Sequence, residues 1–251
     1  MSLKKESRTD VQFHLAALRG DCERLQQLLD TGKVHIDSRD RDGTTPLILS
    51  AAMGHTQCVA ELLAQGADPA CCRTTGTSAL FFAAQGGFLD IARLLLDAGA
   101  AIDAPSMDGG TPLFVASQCG HLSVVEELIA RGANVNSCMK DGASPLFKAA
   151  HKGHAPVVVE LLNYKPNLGL LPNGQSALHG AAMFGQLACV RLLARRHVRA
   201  PQGGGSIPLY ALRNAAGLTA LQVAVAAGKR DVATYLGRLA TIPAPVADMR
   251  P

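Results

Sequence analysis

Apolar residues along this chain fall into short helix-spaced blocks, cut at regular intervals by glycine. Blocks such as VVEELIARG and IARLLLDAG place apolar side chains at i, i+3 and i+4, which predicts amphipathic helices. A second kind of block precedes each of these: GTTPLILSAAMGH from Gly43, GTSALFFAAQGGF from Gly76, GGTPLFVASQCGH from Gly109 and GASPLFKAAHKGH from Gly142. These four openings are 33 residues apart. GQSALHGAAMFGQ follows from Gly174 after 32 residues, and GLTALQVAVAAGK from Gly217 after 43. A second glycine lies 11 residues after each opening one, at Gly54, Gly87, Gly120, Gly153, Gly185 and Gly228. A leucine follows 8 residues later, at Leu62, Leu95, Leu128, Leu161, Leu193 and Leu236. Three series in one phase mark a repeat array.

Each repeat has a physical reading. Thr45-Pro46, Thr111-Pro112 and Ser144-Pro145 set a hydroxyl N-cap before a proline at the first helical position. Small pairs such as Ala83-Ala84 and Ala149-Ala150 let neighbouring helices approach closely. The second glycine ends this short helix, a second helix follows, and it stops at Gly66, Gly99 or Gly132. About ten residues rich in Asp, Asn and Gly then turn the chain into the next repeat. HLAALRGD at residues 14–21 and LLDTG at 28–32 form a degenerate leading repeat, expected to present a polar outer face as a terminal cap.

The unit D-x-x-G-x-T-P-L-x-x-A-A-x-x-G-H, followed by V-x-x-L-L-x-x-G-A, resembles the ankyrin repeat. The resemblance spans residues 7–239: six full repeats plus the leading one. It implies an all-α fold, a solenoid of stacked helix-turn-helix units with short hairpin tips, and a protein-binding scaffold or adaptor in place of an enzyme. In that family a His after T-P-L ties the helix start to the preceding turn. Here the position holds Ile48, Phe81, Phe114, Phe147, His179 and Gln222, so packing is expected to replace the tie in the central repeats. His14 keeps it in the leading repeat, and the His after the second glycine is kept at His55, His121 and His154.

The register slips in two places. Lys165-Pro166 stands where Gly-Ala normally ends a repeat, so that helix end and its hairpin are expected to be altered. Residues 195–213 add about ten residues containing GGGS, Pro201 and Pro208, which predicts a flexible insertion and a looser last repeat. Residues 1–6 and 240–251 read as disordered ends.

Composition narrows the function. The 251 residues are 48 % hydrophobic and 4 % aromatic, with no Trp and a formal net charge of +4. Taken singly, the basic residues read as scattered apart from Arg195, Arg196, His197 and Arg199, a cluster that either touches phosphate or a membrane surface or simply solvates a loop. Seven Cys without a C-x-x-C predict reduced thiols in an intracellular protein, cytoplasmic or nuclear. No apolar run reaches the roughly 20 residues of a membrane span. Cys71-Cys72 is a candidate for modification or redox sensing. His151 and His154 form H-K-G-H, but His154 is explained by the repeat, so no metal is expected, and no cofactor either. The chain has no G-x-S-x-G, Walker loop or H-E-x-x-H to support catalysis.

The resemblance places partner-binding residues at the hairpin tips and in the last turn of each first helix. The tips give Arg41, Asp42, Thr74, Met107, Asp108, Lys140 and Asp141; the helix ends give Met53, Gln85, Gln118, His151, Lys152, Met183 and Phe184. Exposed Met and Phe beside basic residues point to a partly acidic protein or peptide segment docking across the third to fifth repeats of a monomer. The competing reading packs Phe184 under the connection at 165–173. Asn136, in LIARGANVNS, fits the family's asparagine-hydroxylation pattern.

Overall fold

A computed structural model describes residues 7–172, 174–199 and 205–241. The chain divides into two compact units, Met1–Lys140 and Asp141–Pro251. The first holds four helix pairs: α1 (Arg8–Arg19) with α2 (Cys22–Asp30), α3 (Pro46–Met53) with α4 (Thr56–Ala64), α5 (Ala79–Gly86) with α6 (Leu89–Asp97), and α7 (Pro112–Cys119) with α8 (Leu122–Ala130). The second holds α9 (Pro145–Lys152) with α10 (Ala155–Leu162), α11 (Ala177–Phe184) with α12 (Leu187–Leu193), and α13 (Ala220–Ala226) with α14 (Arg230–Thr241). Within each unit the first helices of successive repeats pack on one another, and so do the second helices. Residues 1–6 and 242–251, on which most of the expected disorder falls, lie outside the described residues; Ala240 and Thr241, also expected to be disordered, instead continue α14.

The helix starts follow the sequence. Thr111 Oγ1 accepts the Phe114 N–H at 3.3 Å, Ser144 Oγ that of Phe147 at 3.1 Å, and Ser78 Oγ that of Phe81 at 3.2 Å. Proline opens α3, α7 and α9. The core is built from the phased Leu and the small pairs: Leu62, Leu95, Leu128, Leu161, Leu193, Ala83, Ala84, Ala149 and Ala150 are all buried. The leading helix departs from expectation. Val11, Leu15 and Leu18 recur at helical spacing and are more than a third exposed, so α1 adds an apolar stripe to a cap whose α2 exposes Glu23, Arg24, Gln26, Gln27 and Asp30.

The hairpins are joined by main chain. Thr74 N donates to the Asp42 carbonyl, Met107 N to that of Thr75 and Lys140 N to that of Asp108, each at 2.8 Å. In the second unit Ala215 N repeats this bond to the Gly174 carbonyl at 2.9 Å.

Two irregular stretches differ from the sequence reading. Lys165 takes φ +51°, the left-handed conformation that Gly66, Gly99 and Gly132 take in the other repeats. The next hairpin then closes as the regular ones do, with Leu171 N on the Gln175 carbonyl at 2.9 Å and Gly174 N on the Leu171 carbonyl at 2.8 Å. The repeat geometry outweighs the side chain's preference here, at a cost of roughly 1–2 kcal/mol. Lys165→Gly should therefore raise the unfolding free energy by about 1 kcal/mol; urea denaturation of the two chains checks it, and no gain would mean that the strain is relieved elsewhere.

The described part of the insertion is a small antiparallel ribbon, not a plain loop. Strand β1 (His197–Arg199) pairs with β2 (Ser206–Pro208), and a 3-10 turn (Leu209–Ala211) follows. Leu209 and Leu212 are buried, and the turn packs on α13 and α14. Tyr210 N donates to the Ala194 carbonyl at 3.2 Å. The last repeat is thus attached to the insertion through packed leucines as well as through chain connection.

Candidate interaction surface

The histidines show how adjacent repeats are locked. His55 Nε2 donates to the Leu18 carbonyl at 3.0 Å, and His121 Nε2 to that of Gln85 at 2.9 Å. Each reaches back to the last turn of the preceding repeat's first helix. Gln186 fills the same position with an amide, Nε2 donating to the His151 carbonyl at 3.4 Å. Phe88 fills it with a ring lying over Gly54, where a Cβ would come within 2.7 Å of the ring. The His after T-P-L works in the other direction from that expected. His179 is fully buried; its Nε2 donates to the Leu218 carbonyl at 3.0 Å in the hairpin of the following repeat, and its Nδ1 lies 2.7 Å from Ser176 Oγ. His14 likewise places Nε2 3.1 Å from the carbonyls of Ser38 and Thr44. The tie runs forward because a helix start in this fold faces the next hairpin.

Burial pulls the His179 pKa below its ordinary 6.5, against the opposing carbonyls of Leu218 and Leu212. A neutral buried ring stabilises the fold above the unfolded-state pKa, and that contribution is lost as pH falls below it. Thermal unfolding should therefore show a fall in Tm between about pH 7.5 and about pH 5.5, smaller in His179→Gln. An equal fall in the two chains would assign the effect to other groups.

In the first unit Gln85, Met107, Asp108 and Gln118 line one groove of ≈ 430 Å³, floored by Phe81 and Phe114. Met107 is 61 % exposed at its rim. Arg41, Asp42, Met53 and Thr74 are exposed but do not line it. Asp42 is held by Arg73 in an ion pair of 3.2 Å. Lys140 is exposed at its tip.

In the second unit four sequence-predicted residues gather at the ends of α9 and α11. The Phe184 ring lies 3.9 Å from that of His151, which lies 6.1 Å from Phe147 on its own helix. Phe147 fits against Gly180, where a Cβ would meet its ring at 3.0 Å. Met183 and Phe184 remain 52 % and 46 % exposed, and Lys152 is exposed. Burial, then Lys148 and Lys152, pull the His151 pKa below 6.5, so the ring is neutral at physiological pH. Its Nδ1 is buried without a hydrogen-bond partner. Asp141 instead serves its own hairpin, accepting the Ala143 N–H at 2.9 Å.

Other candidates are placed as follows. Asn136 is exposed in its hairpin, its N–H on Asn134 Oδ1 at 3.0 Å. Cys71 is buried, with Arg39 Nη2 donating to its Sγ at 3.3 Å, and burial raises its pKa. Cys58 is pushed up to about 12 by burial and the neighbouring Cys22, and Cys189 to about 11 by burial. Such thiols are protonated at neutral pH and weak nucleophiles. Arg195, Arg196 and His197 are exposed at the start of the insertion; the side chain of Arg199 lies outside the described ones. No described helix is long and apolar enough to cross a membrane.

One signal is carried by the sequence but hidden when charges are taken singly. Residues 141–251 hold twelve Lys and Arg against four Asp and Glu, net +8, while residues 1–140 hold twelve against sixteen, net −4. The charge divides where the units do.

The stretches at 81–85 and 166–179 resemble ankyrin repeat domain-containing protein 29. The human protein of that name is 47 % identical over 68 residues, 27 % of this chain and 23 % of that protein. Its Danio rerio counterpart is 44 % identical over 68 residues, with the same coverage. The match thus spans under a quarter of either relative's length. The solved ankyrin repeat domain of human ASB11 superposes with a TM-score of 0.78 at 25 % identity, covering 95 % of this chain and 100 % of that domain. The family described as ankyrin repeats (3 copies) matches residues 13–106, 58–139, 113–201 and 167–242. With its phased glycines, hydroxyl-capped helix starts and forward-reaching histidine ties, the chain belongs to the ankyrin-repeat family.

Proposed function

We propose that this chain is a non-catalytic scaffold or adaptor that works as a monomer inside the cell and holds a protein or peptide segment on its helix ends and hairpin tips. Ankyrin repeats are in general protein-interaction modules. The observation that carries the site is the pair Met183 and Phe184, half-exposed beside His151 and Lys152. A large apolar side chain held rigidly at a surface is a common interface anchor. Phe184 packs on His151, which favours the docking reading over burial beneath the 165–173 connection. The groove around Met107 offers the first unit a surface of its own.

The test is proximity labelling in cells with the wild-type chain and with Met183→Ala, Phe184→Ala and Lys152→Ala combined. Truncating anchors costs roughly 2 kcal/mol or more, about thirtyfold in Kd, so the specific partners should disappear. Unchanged recovery from a folded variant would remove the site. A second reading, nucleic acid or a membrane surface held through the 195–199 cluster, is favoured by the +8 charge of residues 141–251. Asn136 is further proposed as a hydroxylation substrate; intact-mass analysis of cell-derived protein without an added oxygen there would count against it.

A further inference from the structure

In the first unit three arginines are ion-paired: Arg73 with Asp42, and Arg93 and Arg131 with carboxylates on α6 and α8. Arg93 reaches Glu127 at 2.8 Å, and Arg131 reaches Glu127 at 2.7 Å and Asp97 at 2.5 Å, tying α6 to α8. The second unit differs. Among the described residues no ion pair joins Lys148, Lys152, Lys229 or Arg230 to a carboxylate. The carboxylates described in this unit are Asp141 at a hairpin tip, Glu160 on α10, which accepts the Asn163 amide at 3.3 Å, and Asp231 at the head of α14.

The unpaired cations border the apolar anchor. Lys148 and Lys152 stand on α9 with His151, and their positive field helps hold that ring neutral. Lys229 lies along Gly185, the residue after Phe184: a Cβ there would sit 3.0 Å from Lys229 Cδ. Lys229 and Arg230 also line a shallow cleft of ≈ 360 Å³ with Gly185 and Asp231. The surface is therefore Met183 and Phe184 in the middle, with two cations on the α9 side and two on the α14 side.

We propose that the segment this surface takes is acidic: a stretch of protein chain with carboxylates on both sides of a bulky apolar residue, crossing the ends of α9 and α11 toward the head of α14. The inference rests on the interaction reading above and adds the partner's chemistry to it. Each of the four cations, Lys152 and Arg230 exposed and Lys148 and Lys229 half-buried, gains a partner on docking, and the apolar residue covers Met183 and Phe184. Charge complementarity of this kind sets specificity and on-rate, and the rim cations make it salt-sensitive. Single-stranded nucleic acid would instead call for a row of stacking aromatics along a basic groove. Here one face of Phe184 is already taken by His151.

Fluorescence anisotropy on the full chain tests this with three labelled probes: a peptide Glu-Asp-Glu-Leu-Phe-Glu-Asp-Glu, its counterpart with Lys at every acidic position, and a single-stranded RNA oligomer. The acidic peptide should bind, at least about tenfold more tightly than the lysine peptide, and should weaken on going from about 50 mM to about 500 mM salt. Lys152→Glu with Lys229→Glu should weaken it about tenfold while leaving the circular dichroism spectrum unchanged. No binding of the acidic peptide, equal binding of the two peptides, or RNA bound more tightly and insensitive to Phe184→Ala would overturn the proposal. The two readings fail differently. Loss of binding in Phe184→Ala but not in the charge-reversal chain keeps the site and removes its acidic partner. The reverse pattern removes the anchor on which the site rests.

Discussion

Leu95→Ala should cost the first unit about 3 kcal/mol, within the usual 2–5 kcal/mol for truncating a fully buried leucine. Leu95 has no exposed surface and sits on the inward face of α6, which packs on α4, α5 and α8. Removing three carbons leaves a void among side chains fixed by their own repeats, and a stack of short rigid helices has limited freedom to collapse into it. Leu94, its half-buried neighbour, provides the internal comparison and should cost distinctly less. Equilibrium urea denaturation measures both. Equal losses for the two leucines would mean that the phased leucine series does not mark the core, which would undermine the whole reading of the repeat.

Gly87→Ala should lose a comparable amount, about 3 kcal/mol, by another route. Gly87 has φ +76°, so any side chain there pays left-handed strain of roughly 1–2 kcal/mol. Its Cβ would also fall 2.5 Å from His121 Nδ1, forcing aside the ring that bonds the Gln85 carbonyl. Losing that hydrogen bond adds about 1 kcal/mol. Gly66→Ala separates the two causes. Gly66 has φ +89° but no atom within 4 Å of the added carbon, so it should show the strain alone. If the two substitutions prove equal, His121 contributes nothing at the junction.

Much of the fold is legible in the amino-acid sequence alone. The hydroxyl-proline starts, the second glycines and the phased leucines encode local geometry, and local geometry repeated in phase gives the stack. The features that a sequence reading misses depend on partners distant along the chain. Lys165 reads as a broken repeat because its own preference argues against a left-handed conformation, yet the flanking helix and hairpin impose it. GGGS and two prolines signal a loop, while buried Leu209 and Leu212 and a 3-10 turn packed on α13 and α14 make the described part of that stretch an attached ribbon. The direction of the histidine tie follows from which hairpin faces the helix start, a relation between repeats that a single motif does not carry. The candidate site is half legible. Met183, Phe184, His151 and Lys152 follow from the family resemblance applied in phase, but Lys229 and Arg230 join them only through the packing of Lys229 along Gly185. The charge partition belongs to the sequence and emerges when charges are summed by unit.

The hairpin tips of the first unit are held in line by one peptide-to-peptide bond per step, Thr74 to Asp42, Met107 to Thr75 and Lys140 to Asp108. A bond between backbones does not depend on which side chains flank it. Exposed positions such as Arg41, Thr74 and Met107 can therefore exchange charge, size or polarity while the spacing of the row stays fixed. A lineage could revise what this edge recognises one residue at a time, with the scaffold's stability nearly untouched at each step. Recognition and folding are, on this edge, separately heritable traits.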